Sequence, residues 1–486
     1  MLAALVITLF STIITAQSLS SALVRNSGAI SYPSTRIVYI MINATATYEL
    51  SSTFQVITYS TDSLTVLNQA IQDVSLLKGS LFVYNGTYQV NGAINMQSNV
   101  NMTLQDGVFI NETGSNGGSG FNIFTFSSVA NASINADSNV TIHGIGSSAK
   151  YERAFWFSDN VDNIAISASH PNGLRIYNLG YNIMENYQPR WVNNSLFQNI
   201  WAYNWMMSFV YPWHGNVHDG VQNCQFINLT VDGANGDSRS PLCIGGSSIP
   251  SNNITISGGI YENSLQDNGI YLGAWALPVT NVLIVNVTTS GNNAVAQSGH
   301  SGLKFRPTSN VTVINWTSNG DYNGMELGST DKAVNFGGSE YNNISGTINS
   351  PVNCGLILSM DFATTDHHVA YNWFNITVNN ATRSALWIAD GFANTTSINN
   401  NTIYLTAIGG QRQAVDFANL AGNISYNTIY GKFTQNGKMG FTDISFGNIT
   451  AQNYNVINVY STTGNPYGLY SGNLGTNIVN YPYSGP

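Results

Sequence analysis

The chain of 486 residues is long enough for several ordinary domains, yet only 8% of it is charged, against roughly 25% in ordinary globular proteins. A net charge of −9 without any basic run argues against a nucleic-acid partner. Regular Ile, Val and Leu strands and 12% aromatic residues argue against disorder. Asn, Ser, Thr, Gly and Tyr carry the polar load instead, a composition suited to acidic surroundings, where carboxylates lose their charge. Three cysteines, Cys224, Cys243 and Cys354, give no disulfide framework and read as small buried residues.

In chain order, the start to about Ala22 is apolar (Leu5, Val6, Ile7, Leu9, Phe10, Ile13, Ile14) and then small. Residues 1–22 read as a secretory signal peptide that lacks the usual positive start; an uncleaved N-terminal anchor is the competing reading. Roughly twenty Asn-X-Ser/Thr sequons, from Asn43 to Asn448, favour a secreted or cell-surface protein that is glycosylated. Residues 23–60 read as an extended segment or linker. Leu64, Leu67, Ala70, Ile71, Val74 and Leu77 then recur at three and four, the face of a helix. Asp62 or Ser63 caps its start and Gly79 ends it. A helix there would seal the open end of a repeat body.

Asp62-Ser63, Ala70-Ile71, Leu81-Phe82-Val83-Tyr84, Gly86-Thr87-Tyr88, Ile94, Ser98-Asn99-Val100 and Leu104 resemble the N-terminal cap and first coil of the pectin-lyase-like superfamily. Its usual phrase is an Asp-Thr helix, a valine-rich strand, P-x-G-x-Y, then S-N-V-x-L. Tyr84-Asn85 stands in the place of its proline. The resemblance implies a right-handed parallel β-helix. It implies no single activity, because the superfamily holds hydrolases, lyases, epimerases and inert binding proteins.

The coils repeat a short phrase: Pro241-Leu242-Cys243-Ile244, Gly269-Ile270-Tyr271-Leu272, Gly302-Leu303-Lys304-Phe305, Gly324-Met325-Glu326-Leu327, Gly355-Leu356-Ile357-Leu358 and Ala385-Leu386-Trp387-Ile388. Large apolar residues hold the second and fourth places while the third varies, the period of a strand with one buried face. Recurrence every ~20–35 residues without a helical pattern between phrases predicts an all-β, parallel β-helix over 61–450. Asn139, Asn163, Asn253, Asn281 and Asn310 open a second strand of successive coils, with Asn side chains stacked at the turns. The pattern from Pro189 to His218 turns aromatic. The Tyr-rich segment 451–486 reads as a tail packed on the last coils.

Aligning the phrases gives a column two residues before each: Arg239, Asp267, His300, Tyr322, Asn353 and Arg383. Asp237 and Asp321 stand near the same height. Successive coils would hold these carboxyls about 5–10 Å apart, and an inverting glycosidase needs roughly 6.5–9.5 Å. Asp267 reads as the general acid, Asp321 or Asp237 as the group that activates water, and His300 as orienting or relaying a proton. Tyr271, Lys304 and Glu326 form the outward column, with Arg306 beside them. Lys304 and Glu326, one rung apart, should pair; Lys304 and Arg306 read as binders of an acidic sugar, the bland alternative being a surface ion pair worth little. Trp275 is the aromatic best placed to stack on a sugar. Asp366-His367-His368 reads as a turn rather than a metal site. No metal and no cofactor is expected.

Gln266-Asp267-Asn268-Gly269-Ile270, Gly299-His300-Ser301-Gly302 and Gly302-Leu303-Lys304-Phe305-Arg306 resemble the D-D-G-I, G-H-G and R-I-K phrases of the polygalacturonase family of glycoside hydrolases. Asn268 replaces that family's second acid. Ser238-Arg239-Ser240 stands where it has N-T-D, and the His and basic phrases share one coil here instead of two. The resemblance implies hydrolysis of a glycosidic bond in a polysaccharide or glycan. Two other readings stay open. One is a non-catalytic surface, adhesion or host-recognition protein. The other is a polysaccharide lyase with Lys304 or Arg306 as base.

Overall fold

The computed structural model describes residues 37–483 except 44–45, 115–120, 147–151, 180–181, 188–190, 204–205, 210–219, 234–239, 246–248, 266, 274–276, 295–299, 329–337, 361–367, 391–396, 419–422, 448–451 and 466. The apolar leader lies outside the described residues. So do Asp237, Arg239 and Trp275.

Residues 37–60 hold three strands, Ile37–Ile42, Thr47–Ser51 and Val56–Ser60, joined as an antiparallel meander. The first also pairs in parallel with Ser80–Val83, which starts the solenoid. Between them lies the helix Ser63–Leu77, whose N-cap Asp62 accepts from the Leu64 N–H at 3.2 Å. Val66, Leu67, Ala70, Ile71 and Val74 are its buried face. The helix ends one residue earlier than its glycine suggests. Lys78 takes the left-handed conformation (φ 49°), and Gly79 follows by donating to the Val74 carbonyl.

From Ser80 onward the chain is the expected parallel β-helix. Among the described residues one wall is a 14-stranded parallel sheet, running from Ile94–Asn95 to Tyr470–Gly472. The strands of the other walls pair coil to coil in the same way. The six repeated phrases fall in register. Leu242, Ile270, Leu303, Met325, Leu356 and Leu386 are successive partners in one fully buried column. Cys243, Tyr271, Lys304, Glu326, Ile357 and Trp387 form the next column, pointing away from the core. The strands were expected to bury one face. Cys243, Lys304, Glu326 and Ile357 are buried on the other face as well.

The coils do not stop near residue 450. Val456–Thr463 pairs with Thr428–Thr434, Ile478–Asn480 pairs with Val456–Thr463, and Tyr470–Gly472 closes the 14-stranded sheet. Exposed tyrosines replace the Ile/Val alternation there, which hid the repeat from a hydrophobic pattern.

Asparagine stacking divides into two ladders. The outer one runs Asn131, Asn163 and, further along, Asn193, Asn223 and Asn253, with amide-to-amide bonds of 2.7–2.9 Å. Asn163, Asn253, Asn281 and Asn310 all have φ between 52° and 56°, a backbone that Asn tolerates better than most residues. Asn139 is not on this ladder, because its strand, Val140–His143, pairs with Leu174–Tyr177. The inner ladder, Asn342, Asn372, Asn401, Asn427, Asn455 and Asn477, is buried. Asn401 is typical. Its amide group donates to the Val369 carbonyl and to Asn427 Oδ1, both at 2.9 Å. Its own oxygen accepts from the Asn372 backbone and side chain at 3.1 and 2.9 Å. Turn backbone that would otherwise be buried without partners is satisfied in this way.

Two carboxyl pairs lie near the N-terminal end. Glu49 is fully buried against Asp73 of the capping helix, and neither Glu49 oxygen meets an N–H or O–H donor. Asp73 accepts from Gln69 at 2.9 Å. Two carboxylates only accept, so the contact is a hydrogen bond only when one carries a proton. Burial first, and then Asp73, pushes Glu49 up to about 9. Burial, and then the hydrogen bond and charge of Glu152, does the same to Glu112.

Two predictions follow from this packing. Asn401→Ala removes one rung of the inner ladder and leaves buried groups on both neighbours unpaired; it should cost about 3 kcal/mol or more in denaturant unfolding. Glu49 and Glu112 bind protons in the folded state at pH values where the unfolded chain has released them. Their contribution is complete below the ordinary value of 4.5 and is lost as pH rises through about 9. Thermal unfolding followed from pH 4 to 9 should show falling stability, and Glu49→Gln and Glu112→Gln should each flatten the slope.

Candidate functional site

The site lies at the turn that leads into the 14-stranded sheet. Register places Ile270 beside Leu303, so Asp267 and His300, each three residues earlier, arrive on neighbouring coils. Their side chains meet, with His300 Nδ1 3.4 Å from Asp267 Oδ1, and both reach solvent: His300 is 31% exposed and Asp267 23%. Asp267 is held from several sides. Its N–H donates to Ser264 Oγ at 3.1 Å, and its Oδ1 accepts from the backbone N–H of Asn268 at 2.9 Å and from that residue's side-chain amide. Asn268, which replaces an acid in the family resemblance, is buried and accepts from the Ser301 N–H at 2.8 Å. It ties the Asp267 turn to the His300 coil.

Asp321 does not share this opening. It is 0% exposed, and its carboxylate accepts from Thr289 Oγ1, Ser318 Oγ, the Asn292 N–H and the Asn292 side chain at 2.6–2.9 Å. Burial raises its pKa to about 6 against the pull of those donors. Gly302 makes room for it, since a Cβ there would lie 2.2 Å from Asp321 Oδ2. A carboxylate so enclosed has no route to a glycan or to its attacking water. Its expected role as water activator gives way to one of fastening its own turn to the Thr289–Asn292 turn of the coil before. The column position itself belongs to Tyr322, and one residue earlier the turn directs the side chain inward.

Beside the opening, Lys304, Arg306 and Glu326 form one buried ion cluster. Lys304 Nζ lies 3.0 Å from Glu326 Oε2, Arg306 pairs with Glu326 Oε1, and Ser359 Oγ adds a 3.4 Å bond. Burial alone would raise Glu326, but the Arg306 and then the Lys304 charge bring it down to about 2. The three are 3–6% exposed, so this is not a surface pair of little worth. Tyr271, half-buried, stands next to Lys304 in register. Further along the same column come Trp387, Asp416 and Ser445. Asp416 escaped the sequence reading because its phrase, Ala414 to Phe417, was not counted among the repeats.

His368 sits at the start of the strand His368–Ala370 and pairs with Glu340 at 2.8 Å; Asp366 and His367 lie outside the described residues. Among the described residues no three His, Cys, Asp or Glu side chains lie together as a metal site. Cys224, Cys243 and Cys354 are all buried.

No protein-family model matches the chain, and no curated protein matches it. Solved structures do. A tailspike protein mutant of E. coli bacteriophage HK620 in complex with a pentasaccharide aligns at 14% identity and a TM-score of 0.49, covering 86% of this chain and 77% of its own. PfbA, a surface adhesin of Streptococcus pneumoniae, aligns at 13% and 0.39, covering 80% and 90%. A polygalacturonase from Erwinia carotovora ssp. carotovora aligns at 9% and 0.37, covering 96% and 99%. At these identities and TM-scores the likenesses do not single out the side chains that act here.

Glu326→Gln would leave Lys304 and Arg306 buried without a counter-charge. The variant should lose about 3–5 kcal/mol in denaturant unfolding at pH 5. In the parent, the stabilisation from the lowered Glu326 is present above 4.5 and should disappear as pH falls through about 2, read as an acid limb in the unfolding curve.

Proposed function

We propose that the protein recognises a glycan along the open edge of the 14-stranded sheet and hydrolyses a glycosidic bond at Asp267 and His300. The observation that carries this reading is the partly exposed Asp267–His300 contact, in a chain where charged residues are scarce. Asp267, as the carboxylic acid, gives its proton to the leaving glycosidic oxygen as the bond to the anomeric carbon breaks. A water attacks that carbon from the opposite face, and its proton passes to Asp237, while His300 orients Asp267 and relays its proton. Asp237 enters from the sequence column alone. Tyr271 offers a face for a sugar ring, Trp275 is assigned to the same task on sequence grounds alone, and Lys304, Arg306 and Glu326 stiffen the floor from which Asp267 and His300 project. Arg239 is assigned to substrate on the same sequence grounds. Export to the cell exterior or surface, with glycosylated sequons, fits this reading.

A second reading has its own support. The saturation of Asp321 removes one of the two carboxyls that a paired mechanism would use. A protein that binds glycans without cleaving them, as a surface or adhesion protein does, needs no such pair.

The two part in one experiment. Parent and Asp267→Asn proteins are incubated with neutral and acidic polysaccharides from pH 3 to 7, and new reducing ends and absorbance of unsaturated products are followed. Hydrolysis predicts reducing ends that fall about 10²–10⁴-fold in the variant. Unsaturated products would reassign the chemistry to a lyase. Binding without release, with both proteins folded, would leave recognition as the function.

A further inference from the structure

Three coils beyond His300 the same turn column changes character. Leu386 pairs with Val415, so Arg383 and Arg412, each three residues earlier, stand on neighbouring coils about 4.8 Å apart. Their backbone is fixed: the Arg383 N–H donates to the Asn353 carbonyl at 2.9 Å, and the Arg412 carbonyl accepts from Gly437 at 2.8 Å. Each guanidinium is laid on a ring, Arg383 4.5 Å over Trp387 and Arg412 5.4 Å over Phe441. Among the described residues neither makes a side-chain hydrogen bond or an ion pair.

That last point is unusual here. The chain has 15 Lys and Arg against 24 Asp and Glu, and an acid stands beside both arginines. Asp416 shares the outward column with Trp387, yet it bonds to Ser445 and not to the arginines. Burial raises its pKa while Arg383, Ser445 and Arg412 pull it down. Trp387 adds an indole N–H that is buried and meets no acceptor. A guanidinium held over a ring face by its charge still has its N–H groups to offer, and these take a planar carboxylate or a sulfate by paired bonds.

We propose that Arg383 and Arg412 form an oxyanion-binding subsite for the carboxylate or sulfate group of a charged glycan. Trp387 and Phe441 hold the two cations in place, and Asp416 tempers the charge between them. The subsite rests on the reading that this protein recognises glycans and adds the class of sugar. Arg383 lies four coils from Asp267, roughly 19 Å at about 4.8 Å per coil, so one oligosaccharide of several units can span both.

The test is isothermal titration of the full chain with three probes: a hexuronic-acid tetrasaccharide, the same oligomer with its carboxyls reduced to alcohols, and a sulfated neutral tetrasaccharide. The proposal expects an anionic oligomer to bind about tenfold or more tightly than the reduced one, and Arg412→Gln to remove that advantage. Which anion binds identifies the group recognised. Asp416→Asn removes a competing acid and should hold or strengthen anion binding, which separates a ligand role from loss of fold. Charged and reduced oligomers bound equally, with Arg412→Gln unchanged, would overturn the subsite and leave glycan recognition standing. No binding of any oligomer to the parent would overturn both.

Discussion

The structure depends on one constraint: every coil must present its neighbour with the same hydrogen-bonding groups at the same height. Backbone pairing satisfies this along the strands but not at the turns, where N–H groups point into the body. The inner asparagine ladder meets the need with one residue type, because an amide side chain accepts on one atom and donates twice on the other. Asn372, Asn401, Asn427 and Asn455 each take two bonds from the coil before and give to the next; Asn342, at the start, takes one from the Val311 N–H. A serine hydroxyl fills the corresponding need in earlier coils, as Ser195 does for Ile164 and Ser251 for Val221. At these turns like stacks on like, which suits amides and rings but not charges of one sign, since those would repel.

That rule explains what could be read in advance. The columns of the repeated phrases were legible because a buried apolar pair recurs with period two. The shared edge position of Asp267 and His300 followed from counting back along those columns. The helix was legible from its periodicity, and its end was misplaced by one residue because a left-handed lysine did what the adjacent glycine could have done. Asp321 was misread for a similar reason. Sequence spacing gives height along the body, but a one-residue offset in a turn decides whether a side chain points to solvent or to the interior. The last coils were hidden because tyrosine, not isoleucine, occupies their outer positions. Tyr426 and Tyr454 even take the left-handed backbone that asparagine holds elsewhere, with their rings stacked 5.4 Å apart.

Charge is used in two opposite ways on the same sheet. In the coils of Lys304 and Glu326 it is buried, balanced by direct contact and therefore structural. In the coils of Arg383 and Arg412 it is held over aromatic rings, with Asp416 nearby rather than in direct contact. Glu326 and Arg383 lie two coils apart, the first on a strand of the sheet and the second in the turn that leads into it. A solenoid makes such regional specialisation easy, because each coil contacts mainly its immediate neighbours.

The carboxyl pair beneath the capping helix has a consequence for the order of events. A chain is made from its N-terminus, and the cap is the surface on which the first coil stacks. Glu49 and Asp73 lock that cap only when a proton is trapped between them, so completing the cap withdraws a proton from the solvent. Held at about 9, Glu49 keeps that proton at neutral pH, and the cost of taking it up falls as the medium turns acid, so the surface on which the first coil stacks forms most readily there.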